Sequence, residues 1–388
     1  MNTKDFMTKT EFIKRDNGSP ADDIYLIAMD IGYSSVKVFS PECVAMFPSY
    51  AVKDKGAGTA GTLTDDYIRY EDLTTGEKWF VGKMANDGLS DEDTSVSGAS
   101  LYGRDRYKDP MYRAILETGL GVACMYSNGA YKKKTIYIET GLPARYIGKA
   151  SPDSQLLTKA FEGIHHFRIT IGQNAPMEFR MSIDGAKVYL MAQPMGTLFS
   201  VGVKNDHMFI PEAENYFNKN VLIFDGGFGT LDFYSIKSHV IGSCETYDNL
   251  GMKRVLEETA KAILEQYNKE ISVPAMQKYL ERGTFRRFDA MTIATKDEPL
   301  ADVLEKSSRL VCQEAINKML QNYPIYEYDY LIITGGTGAA WFEQMRDYLR
   351  RMETLKVING AQNDNLSSVY ANVRGYFMYR FSAIFQRR

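Results

Sequence analysis

Three short stretches of the chain set glycines in turns, two of them beside aspartates and one also beside a lysine, in ways that suit an anionic ligand. The first, DIGYSSVK (30–37), sets Asp30 at the end of an apolar run, turns through Gly32, Tyr33 and Ser34, and supplies Lys37. Backbone N–H groups beside a glycine, together with a lysine, are what a phosphate needs, and a carboxylate nearby is what a hydrated Mg²⁺ needs. Alone, this stretch also reads as an ordinary hairpin with Asp and Gly in its turn. The second stretch is Asp225-Gly226-Gly227-Phe228-Gly229-Thr230, followed by Asp232. Its glycines let the backbone approach a ligand at angles closed to other residues. The GxG within it is no dinucleotide fingerprint, because a strand pattern and not a helix comes next. The third, LIITGGTGAAWFEQM (331–345), reads as a strand, a glycine loop through Gly335, Gly336 and Thr337, and a helix from near Ala339. Close backbone contact with a nucleotide's sugar and base is sterically open at such a loop.

These stretches need strands to hold them. IYLIAMDIGYSSVKVF (24–39) reads as an apolar strand, a turn and a second strand, and VLIFDGGFGTLDFY (221–234) repeats the pattern. Asp30 and Asp225 take the same place in the two copies, which implies duplication of one supersecondary unit and two halves facing each other. A chain of 388 residues is long enough for two domains and a cleft between them. Residues 1–23, polar and ending in Gly18-Ser19-Pro20, read as a flexible arm. The first domain covers 24–193, with a loop-rich small subdomain inserted at about 50–110, where Gly, Ser, Thr and Asp crowd stretches 53–66 and 86–109. The second covers 194–365, with helices expected at 249–268 and 301–321 and a small subdomain at about 265–305. A last helix, 366–388, completes the first domain.

Several function classes drop out. A net charge of −3 with no long basic window argues against direct nucleic-acid binding. The four cysteines form no CxxC pair and there is no secretory leader, so a reducing cytoplasm is expected. No apolar run approaches the roughly 20 residues needed to span a bilayer. Gly141 to Lys149 fails as a P-loop on spacing and on its following Ala150. The histidines show no ligand spacing, and His165-His166 reads as solvated polar sequence. The C-terminal YFMYRFSAIFQRR reads as the buried end of a helix with a basic terminus, or as an amphipathic membrane tether.

Taken in order, the three stretches resemble the phosphate-1, phosphate-2 and adenosine motifs of the actin, sugar-kinase and DnaK-type chaperone ATPases, over about residues 24–380. The details are most similar to ParM-type plasmid-segregation actins: ETYDNLGMKRVLEETAKAIL (245–264) resembles their helix after phosphate-2, and NDNLSSVYANVRGYFMY (363–379) their closing helix. The resemblance implies an α/β fold of two RNase-H-like domains of the actin/hexokinase type, with an interdomain nucleotide cleft binding ATP and Mg²⁺. It implies that Asp30 and Asp225 hold the metal through water. Gly32, Tyr33, Ser34 and Lys37, with Gly226, Gly227, Phe228, Gly229 and Thr230, would contact the β- and γ-phosphates. Gly335, Gly336 and Thr337, with Gly251 opposite, would enclose ribose and adenine. Gln193, in MAQPMG, would orient the attacking water, where ParM-type members can carry Glu.

The resemblance further implies a homopolymeric filament, with DNA reached through a DNA-binding adaptor and no stable membrane association. Some of the 26 tyrosines would then serve a polymer interface. A small-molecule kinase of the same superfold and a membrane-tethered division actin are the alternatives. A kinase needs an Asp at the substrate hydroxyl, whereas Gln193 is an amide and no base. The chaperone reading lacks a client-binding segment after residue 388.

Overall fold

The computed structural model describes residues 2–56, 63–88, 104–143, 146–148, 150–238, 240–289 and 291–386. Four strands open the chain: β1 (Glu11–Lys14), β2 (Ile24–Ile31), β3 (Ser35–Phe39) and β4 (Cys43–Pro48). Then come β5 (Ala51–Lys53), β6 (Tyr67–Asp72), β7 (Lys78–Gly82), β8 (Thr135–Leu142), β9 (Gly163–Ile171), β10 (Met177–Ile183) and β11 (Val188–Ala192). The main sheet of this half runs β1-β4-β3-β2-β8-β11, and a smaller sheet runs β10-β9-β6-β7-β5. The second half contains β12 (Val221–Gly226), β13 (Thr230–Lys237), β14 (Val240–Asp248), β15 (Thr284–Asp289), β16 (Ala294–Pro299), β17 (Tyr330–Thr334) and β18 (Lys356–Asn359). Its sheet order, β14-β13-β12-β17-β18, repeats β4-β3-β2-β8-β11 strand for strand. In both copies the hairpin strands are antiparallel and the later strands parallel. The duplication expected from two Asp-Gly turns therefore extends to whole sheets.

Among the described residues, eight helices of ten residues or more flank these sheets: α1 (Pro110–Cys124), α2 (Pro152–Phe161), α3 (Gln193–Gly202), α4 (Met252–Tyr267), α5 (Val273–Arg282), α6 (Ala301–Asn322), α7 (Gly335–Leu349) and α8 (Ala371–Phe385). Strand β2 is apolar along its length because both faces are covered. Tyr25, Ile27, Met29 and Ile31 share a core with α1, whereas Leu26 and Ala28 share one with α8. Side chains alternate along a strand, so Asp30 falls on the α8 side. In β12, Leu222 and Phe224 join the core under α4 and α6, while Val221 and Ile223 pack with Leu198 and Val201 of α3. Asp225 thus falls on the α3 side. Helices α3 and α8 lie between the two sheets, and the period of two directs both carboxylates to that seam.

The two helices cross at glycines. A Cβ on Gly375 would stand 1.6 Å from the Gly196 carbonyl oxygen, so no other residue allows so close an approach.

Several expectations change. Residues 2–23 are not a loose arm: Thr3–Phe6 form a 3-10 turn, and β1 pairs antiparallel with β4 at the sheet edge. The physical reason is local apolar content, since Phe6 is buried and Phe12 and Ile13 are partly buried. The small sheet of the first half also draws β9 and β10 from well outside 50–110. On β9, His165 is buried and not solvated. Its Nδ1 lies 3.0 Å from Glu117 Oε1 and its Nε2 2.9 Å from the Phe161 oxygen, whereas His166 faces outward to Glu178. Helix α7 begins at Gly335, not near Ala339, so the glycine loop forms its first turn. Gly335 has φ +80°, a left-handed conformation that turns the strand directly into the helix. The last helix starts at Ala371 after a 3-10 turn at Ser368–Tyr370, later than Leu366. Its Arg380 is no surface cation: Nε donates to the buried Glu139 at 2.6 Å. Tyr376, Phe377 and Phe381 are likewise buried, which leaves Phe385 as the large exposed aromatic among the described residues of α8. The expected loops at 53–66 and 86–109 fall partly outside the described residues.

Candidate functional site

Each Asp at the seam is held by the first turn of one of the two crossing helices. Gln193 opens α3, and its Nε2 donates to Asp30 Oδ1 at 3.2 Å. Asn372 lies in the first turn of α8, and its Nδ2 donates to Asp225 Oδ2 at 2.6 Å. The amide oxygen of Asn372 accepts from Thr197 Oγ1 of α3, also at 2.6 Å. A continuous polar path thus runs from α3 through Asn372 to the second carboxylate.

The copies differ at the position across the hairpin. The cross-strand neighbour of Asp30 is Lys37, whose Nζ stands 3.0 Å from Asp30 Oδ2. The neighbour of Asp225 is Asp232, a second buried acid that accepts from the hydroxyls of Thr230 and Thr246. Burial pushes the Asp225 carboxyl up to about 6, the Asn372 bond opposing it and the charge of Asp30 adding to it. Burial, then the charge of Asp225, push Asp232 up to about 7 against its two hydroxyl bonds. One copy therefore offers a neutralised ion pair and the other a pair of acids that resists full ionisation.

The turns are fixed by their own backbones. Gly32 N donates to Ser35 O at 3.0 Å, and Gly227 N donates to Thr230 O at 2.9 Å. Behind the second turn, Met252 N and Lys253 N at the start of α4 donate to the carbonyls of Gly227 and Phe228. Thr337 Oγ1 ties the third motif to the second through the Gly227 oxygen at 2.6 Å.

All three motifs open onto one cavity of about 670 Å³ between the halves. Asp30, Gly32, Tyr33, Ser34, Lys37, Gln193, Asp225, Gly227, Phe228, Gly229, Thr230, Gly335, Gly336 and Thr337 line it. Two expected residues do not. Gly226 lies against the backbone of Gly338, and Gly251 caps α4 against the Gly227 and Phe228 carbonyls. Both support the second turn from behind. The cavity also includes residues that sequence reasoning missed, namely Arg106, Met252, Asn372 and the N-terminal segment; Asp232 was in view but given no role. Arg106 sits 4.6 Å over the Tyr33 ring and donates to the Ile31 oxygen at 2.9 Å, so a cation backs the first turn. Asn372 lies within the stretch 363–379 but was given no role, and no motif signals Arg106; Asp225 and Ile31, the groups they donate to, are far away in sequence.

Among the described residues no three His, Cys, Asp or Glu side chains gather into a metal cage. The carboxylates nevertheless fit a hard cation that keeps its waters. Asp30 and Asp225 face one cavity from opposite halves, and the charge of the first raises the second, a repulsion that a cation between them relieves.

Residues 28–196 match the family model described as the actin-like proteins N-terminal domain. No curated protein matches the sequence. A 15-stranded ParM filament from Clostridium botulinum superposes with a TM-score of 0.67 at 20% identity, covering 92% of this chain and 99% of that one. The actin-like protein Alp7A gives 0.64 at 16% identity over 94% and 98% of the two chains. An archaeal actin homologue, Ta0583, gives 0.60 at 13% identity over 92% and 99%. The chain thus has the duplicated actin-like fold over nearly its whole length, and its residues 28–196 match the N-terminal domain of actin-like proteins.

Proposed function

We propose that the chain binds ATP with Mg²⁺ in the seam between its halves, hydrolyses it, and uses that cycle to assemble and disassemble a filament of its own copies. The observation that carries this reading is the crosswise hold on the two carboxylates, Gln193 on Asp30 and Asn372 on Asp225, beside two glycine turns. Phosphoryl transfer to water asks mainly for positioning and charge neutralisation. Lys37 and the N–H groups of Tyr33 and Ser34 and of Phe228 to Thr230 supply positive ends for the β- and γ-phosphates, while the Gly32 and Gly227 N–H groups close their own turns. Gln193 spends its amide N–H on Asp30, which leaves Oε1 as the acceptor for a water at the γ-phosphate. Asp30 and Asp225 would hold Mg²⁺ through water, and the ion would supply charge neutralisation at the phosphate oxygens. Gly335, Gly336 and Thr337 enclose the nucleoside end.

Assembly is supported by the fold's likeness to subunits of a ParM filament. A head-to-tail contact joins unlike surfaces and, where the rotation does not close, extends without limit. Plasmid partitioning through a DNA-binding adaptor, in the cytoplasm, is the cellular role we assign, in keeping with the net charge of −3. No described helix is long and apolar enough to cross a membrane. Light scattering and sedimentation with ATP, ADP or no nucleotide provide the test. Polymer that appears with ATP and decays as phosphate is released supports the proposal, and ATP turnover by a chain that never pellets overturns the filament.

A further inference from the structure

The N-terminal segment crosses from one half to the other over the cavity. Its beginning is fastened to α5 of the second half. Thr3 Oγ1 donates to the Leu280 oxygen at 2.7 Å, Thr8 N donates to Gln277 Oε1 at 2.9 Å, and Phe6 is buried in the core that contains Met276 and Leu280. Its end is fastened to the first half, where β1 pairs with β4 from Glu11↔Met46 to Lys14↔Cys43. Glu11 accepts from the Tyr370 hydroxyl at 2.7 Å, and Arg15 makes a two-pronged pair with Asp364 at 2.9 Å on each arm. Along this stretch Lys4 to Lys9 line the cavity, as do Ala339, Ala340 and Glu343 of α7.

Two consequences are geometric. A ligand between the halves has this segment as a third wall on the α7 side. The halves are also tethered: Phe6 to Glu11 is five Cα steps, which reach at most roughly 18 Å when fully extended. The anchors are unequal. The β1 end has a strand ladder and a partly buried ion pair, whereas the other end has no ladder and rests on Phe6, the partly buried Met7 and two hydrogen bonds, so it is the end that releases first.

We propose that residues 3–14 are a strap that gates nucleotide exchange, opening by withdrawal of Phe6 from α5 and closing over the bound nucleotide. This rests on the reading of the cavity as a nucleotide site. A gate differs from a mere structural prop in its kinetics. Loosening a gate speeds arrival and departure together, whereas damage to the site speeds departure and slows arrival.

The test is stopped-flow binding and displacement of a fluorescent ATP analogue with Mg²⁺, on the full chain, on Phe6→Ala, on a deletion of residues 2–9, and on Gln277→Ala, which lies outside the cavity wall and keeps the Phe6 anchor. Circular dichroism confirms that each variant is folded. Removal of a buried Phe anchor should raise both rate constants roughly tenfold or more, with the dissociation constant changing less than either. Gln277→Ala should move both rates in the same direction by less. Unchanged rates in folded variants, or a faster departure with slower arrival, overturn the strap and leave the nucleotide site standing. A parent chain that does not hold the analogue at all overturns the nucleotide site, and the gate with it.

Discussion

Lys37 and Asp232 occupy equivalent places in the two hairpins, yet one is a cation and the other an acid. In the proposed site this difference would divide labour between copies of one fold: the first would supply positive charge for a phosphate, and the second buried acidity that favours a cation. Asp225→Ala should lower ATP turnover by roughly two orders of magnitude or more while leaving the fold intact, because the glycine turn survives and only the carboxylate is lost. A near-normal rate at saturating Mg·ATP would sink that assignment. Gln193→Ala should slow hydrolysis strongly yet preserve nucleotide affinity, since a water-orienting group acts in the transition state. Loss of affinity in that variant would mark Gln193 as structural. A pH effect also follows from the buried acids. Their folded values of about 6 and about 7 lie above the ordinary 3.8, so between about pH 4 and pH 7 the folded chain holds protons that the unfolded chain releases. Their contribution to stability is therefore present at low pH and lost as pH rises through that window. The melting temperature of the ligand-free chain should accordingly fall more steeply over this range than that of Asp232→Asn, and equal slopes would exclude the acid pair as the cause. Most of these residues were legible in the sequence because each turn is contiguous: carboxylate, glycines and lysine or threonine lie within eight residues of one another. Asn372 was not legible, since its partner Asp225 is 147 positions away and an Asn at the start of a helix signals only a cap.

Among the elements, the crossing of α3 and α8 decides whether the site exists, because Gln193 and Asn372 are placed by those two helices alone. The crossing tolerates no side chain at Gly375, where added carbon would meet backbone and not a movable side chain. Gly375→Ala should therefore destabilise the chain by about 1–3 kcal/mol or more, read as a shift of the urea midpoint, and a neutral result would mean that the helices part without cost. The strand pattern was legible wherever a run is buried on both faces, as in β2 and β12. Strands β9 and β10 carry a signal that went unread: Phe167, Ile169 and Ile171, then Phe179, Met181 and Ile183, alternate with polar residues in strict period two. The N-terminal segment carries almost none. Phe6 and Thr3 look like ordinary polar-tail residues until α5, some 270 positions later, provides their socket.

For the whole molecule, a ligand held by turns from both halves should act as a bolt between them. Saturating Mg·ATP should raise the melting temperature, since a ligand bound only by the folded chain adds stability as the logarithm of one plus the ratio of its free concentration to its dissociation constant. A melting temperature indifferent to nucleotide would place the ligand elsewhere. The polar path from α3 to Asn372 to Asp225 has a further consequence, for the order in which the protein can be made. Helix α8 covers one face of the β2 sheet, yet it is synthesised after the entire second half. While the chain emerges from the ribosome, the first half must wait with Leu26, Ala28, Phe39 and Val44 uncovered, and Asp225 waits without its amide. A nascent chain consequently cannot present a finished site until helix α8, with Asn372 in its first turn, has been added and has docked.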